Sequence, residues 1–168
     1  MSLQQIGSRL RDDIGHLVER LSVRLASDPG MAAARGLTRT ELEDHLVTFL
    51  SDLFLVVMAC GEGERARRQA MRDSAEIQRI IAELHGRQRR RFGWTVDQVE
   101  REYAMLHAEI QALVRRRGAD DPVACVAAAG LLMRLVAQAR RCSRHGYRLA
   151  AAGPTGAADR TTGVDLRP

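Results

Sequence analysis

The chain has no lysine and no asparagine, and only one Trp, two Tyr and three Phe among its 168 residues. Every one of its 26 basic residues is therefore Arg. Lys and Asn have AT-rich codons while Arg, Ala and Gly have GC-rich ones, so a GC-rich coding source accounts for the substitution. The net charge of +5 is accordingly a weak argument for a nucleic-acid partner. Scarce aromatics and four prolines leave a core of Leu, Val, Ile, Ala and Met, as in a helical bundle. The three cysteines, Cys60, Cys125 and Cys142, are far apart and form no C-x-x-C pair. An odd count excludes a fully paired disulfide scaffold. The opening MSLQQIGSRLRDD turns acidic by its second turn and is not signal-like, so a reducing, cytoplasmic setting is expected. The most apolar run, Leu53 to Cys60, is too short to span a bilayer, and no membrane partner is expected from it. Strand alternation, internal repeats and a Gly-rich phosphate loop are all missing.

What the chain does have is helix punctuation. In residues 84–107, LHGRQRRRFGWTVDQVEREYAMLH, Thr95 is a good N-cap and Gln98 completes a T-x-x-Q capping box. Trp94 and Val99 supply the hydrophobic staple around it. Gly93 suits the left-handed residue that closes the preceding helix, whose negative end faces Arg87, Arg89, Arg90 and Arg91. The same grammar recurs at Leu37-Thr38-Arg39-Thr40-Glu41-Leu42, with Thr38 as cap and Glu41 as its box partner.

These signals, with the 3–4 spacing of apolar residues, predict an all-α bundle of about five helices. The first runs from Leu3 to Ala26 and is stopped by Asp28-Pro29-Gly30. The second, Arg39 to Ala59, is apolar nearly all round at its end and reads as a central, buried helix. The third spans Glu64 to Arg91, with Ile77, Ile80, Ile81 and Leu84 as its apolar stripe. The fourth, Val96 to Arg117, turns Val99, Tyr103, Leu106, Ile110, Leu113 and Val114 inward. The fifth starts with Asp121 as cap and Pro122 at the first helical position, and continues through Val126, Leu131, Leu135 and Val136 to Gly146. Residues 1–148 form the helical domain. Residues 149–168, rich in Gly, Ala, Pro and Thr, are expected to be a flexible tail or linker.

The run His85-x-x-x-Arg89-x-x-x-Gly93-Trp94, followed by Val99, Glu102, Tyr103 and Leu106, resembles the signature of the RsbRD N-terminal sensor domain family. The stretch Glu43-Asp44-His45-Leu46 is similar to that family's second block. Val47 stands where Pro is common, and His107 where Arg is usual. The likeness covers roughly residues 1–145. It implies a regulatory role, in the manner of stressosome co-antagonists and of input domains placed before sensor kinases, PAS-containing regulators and helix-turn-helix transcription factors. It also implies a helical fold related to the globins, usually without an established ligand, and it offers no catalytic mechanism.

The candidate ligand- or signal-sensing residues are His85 and His45. A globin-related fold would make His85 a candidate haem ligand; a histidine favouring a helix C-terminus, or anchoring Glu102, is the structural alternative. His45 on the buried second helix reads equally as a satisfied core histidine. Arg89, Gly93, Trp94, Thr95, Glu102 and Tyr103 form the structural motif, with Arg89 and Glu102 expected to pair across the turn. His16, His107 and His145 add no metal-binding spacing, so no metal site is expected. The Arg runs 87–91, 115–117 and 140–144 sit at helix C-terminal ends and lack interleaved aromatics, which argues against a nucleic-acid face. No nucleophile–base set or catalytic carboxylate pair is visible. The expectation is a non-catalytic, cytoplasmic input domain, without cofactor, that forms a homodimer and signals to an output module. Leu3, Leu10, Ile14, Leu17 and Leu21 on the first helix are the expected dimer seam. A haem- or small-molecule-binding globin-like sensor, and a basic helical nucleic-acid-binding module, are the alternatives.

Overall fold

Asp13 and the Glu43–His45 joint break two of the expected five helices, giving seven. The computed structural model describes residues 2–43 and 45–152, and among these it is all-α with no strand. In order these are α1 (Leu3–Asp12), α2 (Ile14–Ser27), α3 (Arg39–Glu43), α4 (Leu46–Cys60), α5 (Glu64–Arg91), α6 (Val96–Arg117) and α7 (Pro122–Ala152). A 3-10 segment, Pro29–Gly36, links α2 to α3. Asp44, in the second family-like block, and residues 153–168, most of the expected tail, lie outside the described residues.

Both breaks have a polar cause. At the first, Asp13 leaves helical geometry (φ −97°, ψ 5°), and its carboxylate accepts from Arg117 Nε at 2.5 Å and Nη2 at 2.7 Å. Asp followed closely by Gly15 is a weak helix interior, so this bidentate pair fixes the bend at little cost. At the second, the Glu41 and Leu42 carbonyls accept from Arg89 Nη1 and Nη2, each at 2.8 Å. In an unbroken helix those carbonyls would serve the amides of residues 45 and 46. A side chain from α5 has replaced the next turn of helix.

Helix α7 runs past Gly146 to Ala152, so residues 149–152 are helical rather than tail. Gly146 is a packing point and not a stop. A Cβ there would meet the Glu83 carbonyl oxygen at 2.1 Å, and one on Gly86 would meet the Ser143 carbonyl oxygen at 1.9 Å. The two glycines let α5 and α7 touch backbone to backbone, and theirs is the most extensive helix pairing in the fold. Helix α7, over Pro122–Ala151, also has the length and apolarity to cross a membrane, a stretch overlooked when only Leu53–Cys60 was weighed. It packs on α5 and α6, but only 22% of its most apolar window is buried, and Val126, expected inward, is exposed.

The core lies between α1, α2, α4 and α6. Leu10, Ile14, Leu17 and Leu21 are all sealed in it, and Leu3 packs half-buried against it. This corrects the expected dimer seam: the first-helix stripe is consumed by the chain's own core. The expected inward residues of α6, and Leu131, Leu135 and Val136 of α7, are buried as foreseen.

Helix α5 is turned the other way from its expected orientation. Its buried residues are Ser74, Gln78, Ala82, Gly86 and Arg89, whereas Ile77, Ile80 and Leu84 are 48%, 45% and 46% exposed. The inner face has to admit α7 at glycine distance. It also serves Asp52 of α4, whose carboxylate accepts from Ser74 and, at 2.7 Å, from Gln78 Nε2. Small and polar residues meet both demands; large apolar ones would not.

Candidate functional site

The turn between α5 and α6 assembles the site. Gly93 takes φ +77°, which costs a glycine nothing, and the Trp94 amide then reaches back to the Arg89 carbonyl at 3.0 Å. The capping box forms as expected: the Gln98 amide donates to Thr95 Oγ1 at 3.2 Å and the Thr95 amide to Gln98 Oε1 at 3.0 Å. Trp94 and Val99 are buried as the staple. These local bonds set Arg89 on the last turns of α5 opposite Glu102 on α6.

Arg89 donates from Nη2 to Glu102 Oε1 at 2.8 Å and from Nε to the same oxygen at 3.1 Å. His85 Nε2 lies 2.8 Å from the other oxygen, Oε2. Only 1% of the Arg89 side chain and 6% of the Glu102 side chain remain exposed. The guanidinium also sits 4.7 Å from the centre of the Trp94 ring, and His85 meets Tyr103 edge-on at 5.9 Å. Burial alone would push the Glu102 carboxyl up; the charges of His85 and Arg89 and their hydrogen bonds outweigh it and hold it at about 2. Burial pushes the Tyr103 hydroxyl up. The expected Arg89–Glu102 pair is therefore real, and it is sealed from solvent.

A cavity of about 30 Å³ adjoins this group, lined among others by His45, Leu46, Phe49, His85, Glu102 and Tyr103. It has room for roughly one or two water molecules. The two candidate histidines thus share one cavity. His45, however, is an exposed residue at the start of α4, not the core histidine expected. Haem does not fit here. Small-molecule pockets start at roughly 300 Å³, and His85 Nε2 already faces Glu102. Among the described residues no cluster of three or more His, Cys, Asp and Glu is arranged to hold a metal ion.

The other candidates are absorbed into the fold. Arg90 lies 5.0 Å from the centre of the Tyr147 ring, Arg117 pairs with Asp13, and Arg140 and Arg144 approach Glu100 at 3.5 and 3.1 Å. Much of the Arg that reads as a basic face is internal pairing. The Cys60 and Cys142 thiols are pushed up by burial, away from a reactive thiolate.

Three contributors escaped the sequence reading. The α3 carbonyls held by Arg89 carry no sequence signal, because any residue has a carbonyl. Tyr147, whose hydroxyl donates to the Trp94 carbonyl at 2.8 Å, lies too far along the chain to be linked to the turn. The inner face of α5 was readable: Ser74, Gln78, Ala82 and Gly86 recur every fourth residue. Compared with family models, with curated proteins and with solved structures, the chain matches none.

Proposed function

We propose that this chain is a non-catalytic, cytoplasmic signal-input domain of the RsbRD N-terminal kind, without cofactor, self-associating and acting on an output module. The observation that carries the reading is the buried Arg89–Glu102–His85 group and its hold on the α3 carbonyls. A buried ion pair is a poor way to gain stability, since well-packed apolar residues often do as well or better. Its use lies in specifying one arrangement among alternatives. Here one guanidinium bonds the end of α3, the start of α6 and, through the turn, Trp94. A small cavity beside it leaves the α3–α4 joint room to repack. That is the form of a two-state element, in which an input need only favour one packing of the joint.

The test is NMR relaxation dispersion at the amides of α3–α4 and at the methyls of Leu42 and Leu46. Wild type is expected to show exchange on the microsecond-to-millisecond scale. Arg89→Lys keeps the charge but cannot span two carbonyls and a carboxylate, so it should raise the population of the minor state. Flat dispersion in both proteins would make the group a static core feature and overturn the input reading.

A further inference from the structure

The outward face of α5 has an order that its inward face does not require. Ala66, Ala70, Asp73, Ile77, Ile80, Leu84, Arg87 and Arg91 follow one another at alternating steps of four and three. That is the a/d spacing of a coiled-coil seam, sustained for more than three heptads. The seam is open in the chain itself. Ile77, Ile80 and Leu84 stand about half exposed, while the opposite side of α5 is closed by α7. An exposed stripe of large aliphatic residues on a helix that buries Ser, Gln, Ala and Gly marks a contact surface.

The charges at the two ends decide what covers it. Exposed Asp73 lies at the N-terminal end of the stripe, with Glu76 beside it. Arg87 and exposed Arg91 lie at the C-terminal end. A second α5 laid parallel would set acid on acid and Arg on Arg. Laid antiparallel about Ile80, it sets Asp73 near Arg87 and Arg91 of the second copy, and Ile77 over Leu84 of the second copy. The stripe from Asp73 to Arg91 is about 27 Å long at 1.5 Å per residue. Beside it lies a groove of about 300 Å³ between α4 and α5, lined by Leu55, Val56, Ala59, Ser74 and Ile77. Antiparallel pairing puts Leu84 of the second copy at the mouth of that groove.

We infer that α5 is a self-complementary docking surface, and that its partner is a second copy of this chain packed as an antiparallel α5–α5 coiled coil. The inference rests on the self-association part of the functional reading and gives it a location and a polarity.

Sedimentation velocity on the full chain tests it. Wild type is expected at twice 18.6 kDa. I80E/L84E should sediment as a monomer with unchanged helical circular dichroism and melting, because both side chains lie on the surface. D73R/E76R and R87E/R91E should each weaken self-association by about tenfold or more, and an equimolar mixture of the two should form a heterodimer. Three results would each overturn the inference: a monomeric wild type at millimolar concentration, a dimer that survives I80E/L84E, or a dimer that V123E/V126E dissociates in its place. Failure of the two charge variants to cross-pair would overturn the antiparallel polarity. A monomer that still shows exchange at the α3–α4 joint would leave the input reading standing without this surface.

Discussion

Arg89 bonds Glu102 and the Leu42 carbonyl through the same nitrogen, Nη2, at 2.8 Å each. One buried cation thus closes both an ion pair between α5 and α6 and the frayed end of α3. Arg89→Met should cost about 3–5 kcal/mol, because it strands the Glu102 charge in the core. Arg89→Met with Glu102→Leu should recover most of that loss in urea unfolding. It cannot recover the bonds to Glu41 and Leu42, so α3 amides should exchange faster than in wild type in both variants. Full protection of α3 in the double variant would refute the assignment of the helix break to Arg89.

The same pair predicts an acid limb of stability. Glu102 is held at about 2 in the folded chain against an ordinary 4.5. Between these values the unfolded chain binds the extra proton, so stability rises with pH there and is complete above about 4.5. As pH falls from 4.5 to 2 the contribution, on the order of 3 kcal/mol, is lost. Urea unfolding of Glu102→Gln across that window should give a flatter profile than wild type. Equal slopes would show that other carboxylates carry the acid sensitivity.

Gly86→Ala and Gly146→Ala should each destabilise by about 2–3 kcal/mol, since the obstacle to the new methyl is a backbone carbonyl and not a side chain that can swing away. Gly15→Ala is the contrast. A Cβ at Gly15, inside α2, meets nothing within 4 Å, and helix propensity alone should then raise stability by about 0.5–1 kcal/mol. Melting temperatures of the three variants check the pattern.

Charges at Leu10 and Leu17 should unfold the chain. Both side chains are fully buried, so L10D/L17D places two carboxylates in the core with no partner. Loss of helical circular dichroism is expected, in contrast to the folded monomer expected of I80E/L84E. A folded L10D/L17D monomer would return the dimer seam to the first helix.

The helical class, the Thr95 and Thr38 caps, the Gly93 turn and the Arg89–Glu102 pair were legible because each is encoded within a few residues, or within one turn and its flanks. The inward face of α6 was legible because a helix pinned by a capping box presents its stripe at a known phase. The orientation of α5 was not. Its periodicity shows that one side is apolar, but which side faces the core depends on Gly86 meeting Gly146, a relation between distant segments. The breaks at Asp13 and after Glu43 were hidden for a similar reason. Each is made by an arginine from another helix, Arg117 or Arg89, outbidding the local backbone. His45 was misplaced with the second break, since an unbroken helix would have carried it into the interior.

The Tyr147 hydroxyl gives the long α7 a mechanical meaning. At 31 residues α7 is a rod of about 46 Å, and near its far end this hydroxyl ties it to the carbonyl of Trp94. The ring of that same Trp94 is the plane on which the Arg89 guanidinium rests. Torque or tilt applied to the last turns of α7 therefore acts on the indole directly. The rod and the buried ion pair share a single residue, so movement at one end is felt as a change of footing at the other.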